Sequence, residues 1–244
     1  MKVFPAVAAT LFALTVWQVI VSLTDLPRFI LPGPALVAET WWTNRWVIAE
    51  HTLVTAKEVI IGLAIGTALG IVTALQLATS KTARMLVQPI LVFTQALPVF
   101  ALAPILTLWM GFGLWSKIAM AVLIIYFPVT SAFFDGLMRT PPGYLDLAKT
   151  MQASPNRILW HIRVPAALPN LGAGVRLAAV YAPIGAVIGE WVGASQGLGY
   201  LMLLANGRAK TDLMFAAMLT LGVLSVLLYV MVAKLTRHLG DRET

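Results

Sequence analysis

The 244 residues are 59% hydrophobic and only 11% charged, whereas soluble domains have about 45–50% apolar and about 25% charged residues. The formal net charge of +7 comes from short connections between apolar runs, a pattern that indicates orientation in a membrane and argues against nucleic-acid binding. Cysteine is absent, which excludes disulfides, thiol catalysis and Cys-based metal sites.

Six apolar runs are each long enough to cross a bilayer, because about 20 helical residues span about 30 Å of hydrocarbon. The first run could pass for a signal peptide, but no small-x-small cleavage site follows it, so we expect a retained span. The sequence therefore predicts an all-α membrane protein with six transmembrane helices. Their predicted positions are 4–23, 52–79, 85–110, 114–134, 171–192 and 213–235.

The rest of the chain connects these spans. We assign residues 1–24 to the first transmembrane helix and residues 52–235 to a five-helix core. Residues 25–51 form a connection with a short helix whose tryptophans fit the membrane interface, and residues 236–244 form a tail. With the polar segment after the fourth span inside, eleven of the seventeen Lys and Arg residues are inside. The positive-inside rule then makes both termini cytoplasmic and the connection 25–51 periplasmic.

The third span contains Pro89, Pro98 and Pro104, and each proline removes a backbone donor from the helix. We expect this span to be kinked or broken, which is tolerated at membrane depth where protein or a water-lined cavity surrounds it. Two sets of glycines with a four-residue spacing predict close helix approach, either inside one subunit or at a seam between two copies. They are Gly62, Gly66 and Gly70, and Gly185, Gly189 and Gly193.

A polar segment at residues 146–165 separates the fourth and fifth spans and is too long for a turn. Asp146 is expected near the positive end of a helix, with Leu147 and Met151 on one face. Ser154 fits an N-cap before Pro155, and the second helix is predicted to stop before Pro165. This arrangement indicates a docking element for a partner outside the bilayer, or alternatively a loop resting on lipid headgroups.

Ionisable groups within the spans are few. Glu58, Asp135, Arg176 and Glu190 all lie near predicted span ends, where they can snorkel to water or act in gating. Glu190 is the best gate candidate, because it is the first residue of a glycine-containing segment, 190–200, that could form an outer gate or contact a binding protein. No predicted mid-span charge supports a proton-driven carrier. The three histidines are not spaced as metal ligands, and no Ser/His/Asp set indicates a hydrolase.

The polar segment resembles the cytoplasmic loop of ABC-type import permeases of the binding-protein-dependent transport family. That loop reads Glu-Ala-Ala, three residues, Gly, nine residues, Ile, one residue, Leu-Pro. Here the matching positions carry Asp146, Leu147, Ala148, Gln152, Ile162, Val164 and Pro165. The runs at 163–178, 189–191 and 197–199 are similar to the branch that imports sulfonates, taurine, nitrate and vitamin precursors. Gln152 replaces a glycine, so the turn is expected to keep a right-handed backbone.

The resemblance implies a cytoplasmic coupling helix within residues 143–165 that sits in a cleft of a separate ATPase. The expected partners are two ATPase copies carrying ATP and Mg²⁺, an extracytoplasmic solute-binding protein and a second copy of this chain, in the bacterial inner membrane. The chain has no Walker A sequence and is therefore expected to be a transport subunit without its own ATPase site. The implied coupling residues are Leu145, Asp146, Leu147, Ala148, Met151, Gln152, Ile162 and Pro165.

The run 95–117 indicates a substrate, because it resembles the same region of permeases for the pyrimidine precursor of thiamine. Aromatic residues could stack on a flat heterocycle or simply lie at the membrane interface. Sulfonate, taurine, nitrate and riboflavin remain alternative substrates, and a secondary carrier and a structural subunit remain alternative roles. The candidate gate or substrate-path residues are Gln95, Pro98, Trp109, Glu190 and Trp191.

Overall fold

The computed structural model describes residues 3–24 and 26–240, and all regular secondary structure in these two stretches is helical. One π-helical turn, Leu159–Arg163, joins α8 to α9. The α-helices are α1 (Val3–Thr24), α2 (Pro34–Thr43), α3 (Arg45–Thr79), α4 (Lys81–Ala96), α5 (Val99–Met110), α6 (Leu114–Met138), α7 (Pro142–Thr150), α8 (Pro155–Ile158), α9 (Val164–Gly193), α10 (Leu198–Gly207) and α11 (Thr211–Gly240).

Within the described residues, five helices are long and apolar enough to cross a membrane, and α4 with α5 makes a sixth if the pair counts as one span. The pair is bent by 103°, so the predicted break in the third span is present. Leu97 and Pro98 both have extended backbones at the bend, as expected for a proline and the residue before it. Pro89 and Pro104 lie inside α4 and α5.

Several helix boundaries differ from the sequence-based expectation. Helix α3 begins at Arg45, so residues 45–51 extend the second span and are not part of the connection. Helix α10 was not predicted, because residues 198–207 contain two glycines and lie outside the six apolar runs. Helix α11 continues to Gly240, and the remainder of the predicted tail, 241–244, lies outside the described residues.

The chain divides into two compact units, of which the first comprises Met1–Thr55 and Ser195–Val223. Inside it, the Thr40 hydroxyl donates to Asp212 at 2.7 Å and the Trp41 indole donates to Thr220 at 3.0 Å. These two bonds join α2 to α11. The start of α10 is held by α3: the Leu198 N–H donates to the Thr55 hydroxyl at 2.8 Å.

The second unit comprises Ala56–Ala194 and Leu224–Thr244. Helices α6 and α9 pack along their lengths, and α3 lies on α6. The core of this unit contains Ile125, Val129, Phe133 and Leu137 of α6, all at most 2% exposed. This spacing of four residues marks one helical face, so α6 is the central helix of the unit.

Candidate coupling segment and translocation path

Helix α7 has an exposed apolar face, and a small residue on its other side is buried against the protein. Tyr144, Leu147 and Met151 are 62%, 60% and 74% exposed, and their spacing of three and four residues puts them on one face. Ala148 is buried, and Leu159 after the break belongs to the core of the second unit. The segment is therefore anchored on one side and carries three large apolar side chains without cover on the other.

Asp146 does not lie at the start of its helix, contrary to the prediction. Helix α7 begins at Pro142, which suits the first turn because it needs no N–H there. This start puts Asp146 beyond the first turn, where its carboxylate pairs with Lys149 at 3.0 Å, both side chains being exposed. An exposed pair of this kind contributes at most about 1 kcal/mol, so the two groups remain free to interact with a partner.

Gln152 also contradicts the prediction, because its φ is +55° and the turn is left-handed. Its N–H donates to the Lys149 carbonyl at 2.8 Å, and the Ala153 N–H donates to the Ala148 carbonyl at 2.9 Å. These two bonds form a Schellman motif, which requires a left-handed residue at the first position beyond the helix cap. The hydrogen bonds therefore impose on glutamine the backbone conformation that a glycine adopts without strain.

The second helix of the segment starts as predicted and ends differently. Ser154 accepts a hydrogen bond from the Arg157 N–H, with Pro155 in the first turn. The helix does not stop before Pro165: Pro155–Gly193 is one continuous helical stretch of 39 residues. The π-helical turn at Leu159–Arg163 changes the hydrogen-bond register just before the proline, so that the missing N–H is accommodated. Ile162 and Pro165 are half-buried here, as is Leu145 in α7.

The two glycine sets lie on α3 and on α9, and most of these glycines contact α6. A Cβ at Gly62 would lie 2.8 Å from the Cβ of Ala121, and one at Gly185 would lie 2.6 Å from the Cα of Ala121. The same close approach recurs along both helices, which shows that these glycines let α3 and α9 pack directly on α6. The remaining contacts with α6 are Gly66 with Ile125, Gly70 with Val129, and Gly189 with Lys117. Gly193 instead meets Phe112 and Thr107, which precede α6.

A buried charge cluster continues this glycine row. Glu58 lies four residues before Gly62, and its carboxylate is 3.2 Å from the Lys117 amine. The side chain of Glu190 also interacts with that of Glu58, and all three residues are at most 7% exposed. Snorkelling was therefore wrong for Glu58 and Glu190. Helix α3 begins earlier than predicted, and protein surrounds both carboxylates.

The other two charged residues and the candidate path residues are dispersed. Arg176 donates to the Thr236 hydroxyl at 3.0 Å, and Asp135 lines a cleft together with Gln95. Pro98 is the N-cap of α5. Trp109 is 77% exposed and Trp191 is 43% exposed, and neither tryptophan lines the cleft that contains Gln95.

The residue that sequence reasoning missed is Lys117. The row Lys117–Ala121–Ile125–Val129 packs on the row Glu58–Gly62–Gly66–Gly70. A four-residue spacing is common to any helix face and does not by itself select this pairing. Because these charged residues are buried, the expected lack of interior ionisable groups no longer argues against a secondary carrier. A different kind of observation is needed to decide between a carrier and an ABC permease.

Comparison with known proteins provides that observation. The family described as the inner membrane component of binding-protein-dependent transport systems matches residues 66–242. The chain belongs to this family. It is thus a permease of the ABC importer type, and permeases of this type lack an ATPase site of their own.

Three curated relatives of this permease illustrate its branch. A probable ABC transporter permease of Haemophilus influenzae is 51% identical over 88% of each chain. The formylaminopyrimidine transport permease ThiX of Halalkalibacterium halodurans is 35% identical, covering 95% of this chain and 94% of its own. The riboflavin transport permease RibX of Chloroflexus aurantiacus is also 35% identical, covering 93% of this chain and 85% of its own.

The fold of the permease agrees with this assignment. An inward-facing structure of the MetNI methionine ABC transporter matches with a TM-score of 0.70 at 19% identity, covering 81% of this chain and 98% of the other. The all-α membrane architecture predicted from the sequence is therefore confirmed.

Proposed function

We propose that this permease forms the solute pathway of an ATP-driven importer and is operated through residues 143–165. The observation that carries the proposal is the uncovered apolar face of α7, formed by Tyr144, Leu147 and Met151. A helix that presents such a face while its other side is anchored suits insertion into a groove of a partner protein. The partner is an ABC ATPase, two copies of which hold ATP and Mg²⁺.

The remaining coupling residues support that face. Ala148 and Leu159 anchor it, the turn at Gln152 sets the angle between α7 and α8, and Ile162 and Pro165 lead directly into α9. Because Pro155–Gly193 is one continuous helical stretch, a movement of the segment is transmitted to the membrane core as a rigid-body motion. The bend at Pro98 and the glycine contacts of α6 are the points where that motion changes the packing.

The assembly follows from the same role. A second copy of the chain and an extracytoplasmic solute-binding protein complete the importer, which lies in the bacterial inner membrane with both termini in the cytoplasm. The positive-inside count supports this orientation.

The proposed solute is a pyrimidine precursor of thiamine. The relative named for formylaminopyrimidine transport is aligned over 95% of this chain at 35% identity, against 26% for a taurine permease of Escherichia coli. Riboflavin is the alternative with equal identity, and both solutes are nitrogen heterocycles. Sulfonate, taurine and nitrate are less favoured alternatives.

The test is uptake by cells that express the chain with its neighbouring ATPase and binding protein. We expect accumulation of labelled formylaminopyrimidine that stops when ATP is depleted and persists when a protonophore collapses the proton gradient. The variant Leu147→Asp should insert normally and abolish uptake. Uptake that follows the proton gradient, or that survives without the ATPase, would refute the proposal.

A further inference from the structure

A cleft in the second unit is lined by residues of α4, α6 and α9. Its volume is about 540 Å³, which is within the range of small-molecule sites. It combines four polar side chains with aromatic and aliphatic ones. Its lining includes Gln95, Phe127, Ser131, Asp135, Leu177 and Tyr181.

The polar side chains of this cleft are left without protein partners. Within residues 3–24 and 26–240, Gln95, Ser131, Asp135 and Tyr181 form no side-chain hydrogen bond or ion pair. Polar groups in a spanning helix are costly unless they meet water, another polar group or a solute, and ionisable ones mark solute pathways. The four groups therefore remain available to a molecule that enters the cleft.

The cleft continues into two further cavities along α4. A small cavity of about 80 Å³ shares Ser131 and Asp135 with the cleft and adds Gln88. A third of about 590 Å³ shares Gln88 with the small one and reaches Lys81. Positions 95, 88 and 81 are seven residues apart, which is two turns or about 10 Å each on one helix face. Polar groups thus recur at regular intervals along α4, beside three neighbouring cavities.

The carboxylate of Asp135 determines which charge a molecule in the cleft can carry. Asp135 is the acidic residue among the described residues that line these three cavities. Arg84, a basic residue that lines the third cavity, already has partners: its guanidinium donates to the Leu77 carbonyl at 3.2 and 3.1 Å and lies over the Phe134 ring. An unneutralised carboxylate favours N–H donors and repels anions.

We propose that Asp135, Ser131, Gln95 and Tyr181 form a solute-binding site in the permease itself for an uncharged or cationic amino-substituted heterocycle, and that this site excludes oxyanions. An exocyclic amino group donates to the Asp135 carboxylate. Ring nitrogens accept from the hydroxyl of Ser131 or the amide of Gln95. A flat ring lies against Phe127 and Tyr181. The inference rests on the proposed transport function and assigns the same solute a second point of selection after the binding protein.

The experiment measures solute binding to the purified permease–ATPase complex in nanodiscs, without the solute-binding protein. The probes are labelled formylaminopyrimidine and methanesulfonate. We expect the wild type to bind the pyrimidine at micromolar to millimolar concentration and to ignore the sulfonate. Asp135→Asn and Ser131→Ala should each weaken pyrimidine binding by about tenfold or more, and Asp135→Glu should retain part of it. The exposed carboxylate variant Glu50→Gln should bind like the wild type.

The outcomes separate this proposal from the one it rests on. Loss of the ATPase from the wild-type complex would refute the proposed function. An intact, ATP-hydrolysing complex overturns the site alone if Asp135→Asn binds pyrimidine as well as the wild type does, if the wild type binds methanesulfonate, or if no pyrimidine binds at millimolar concentration. Retained ATP hydrolysis by Asp135→Asn shows that this variant is folded.

Discussion

The close contact between α9 and α6 makes Gly185→Ala the most informative packing variant. A methyl group at this position would lie 2.6 Å from the Cα of Ala121, 3.1 Å from its nitrogen and 3.2 Å from the carbonyl oxygen of Met120. All three atoms belong to the backbone of α6, so none can rotate away. Insertion of a methyl into a full core costs about 1–3 kcal/mol, and the helix preference of alanine over glycine returns up to about 1 kcal/mol.

We therefore expect Gly185→Ala to lower the free energy of unfolding by about 1–2 kcal/mol, measured by SDS titration of the purified protein. The matched control is Gly222→Ala in α11, where a Cβ would meet nothing within 4 Å; this variant should be neutral or slightly more stable. A second test uses the partner residue. Ala121→Gly should rescue Gly62→Ala, whose clash is with the Ala121 Cβ, and should not rescue Gly185→Ala. Equal stability of Gly185→Ala and wild type would refute the packing argument.

Three further variants test other contacts. Lys117→Met leaves Glu58 buried without its cation and should cost about 3–5 kcal/mol in SDS titration, whereas adding Glu58→Gln should restore part of this loss; an unchanged midpoint would contradict the buried pair. Gln152→Gly relieves a left-handed residue and should gain about 1 kcal/mol with uptake retained, while a loss of stability would contradict the left-handed turn. Thr55→Val removes the acceptor of the Leu198 N–H and should cost about 1–3 kcal/mol, with Thr55→Ser as the neutral control in thermal unfolding.

The sequence predicts local features well where one residue type has a fixed backbone consequence. Proline at position 98 predicts a break in the third span, and Ser154 before Pro155 predicts the start of α8; both are present. These predictions succeed because a missing N–H or a capping hydroxyl acts on the nearest turn and requires no knowledge of the rest of the chain.

The predictions fail where distant residues or neighbouring turns decide the outcome. A local reading of Gln152 excludes a left-handed backbone, yet the two hydrogen bonds that end α7 impose it. The stop before Pro165 is avoided by a π-helical turn that begins six residues earlier. The partner of Glu58 lies 59 positions away in the sequence, and only the packing of α3 on α6 brings the two together.

The same contrast between local and long-range features holds for the candidate functional residues. The proposed coupling residues follow one another closely in the sequence, so a short pattern is enough to select them. The cleft around Asp135 could not be found in this way, because it is assembled from three helices whose contacts are set by the glycine rows. The tryptophans of the predicted path, Trp109 and Trp191, lie exposed, because their predicted role rests on local runs and ring chemistry and not on helix contacts.

We propose that the apolar face of α7 couples ATP hydrolysis to the permease. The most direct measurement is the ATPase rate of the purified complex with and without the solute-loaded binding protein, for Leu147→Asp and for Thr82→Asp. Thr82 is exposed in the first turn of α4, where a carboxylate is tolerated. We expect Thr82→Asp to keep the stimulated rate, and Leu147→Asp to insert normally and lose it. Full stimulation of the Leu147→Asp complex would contradict coupling through α7.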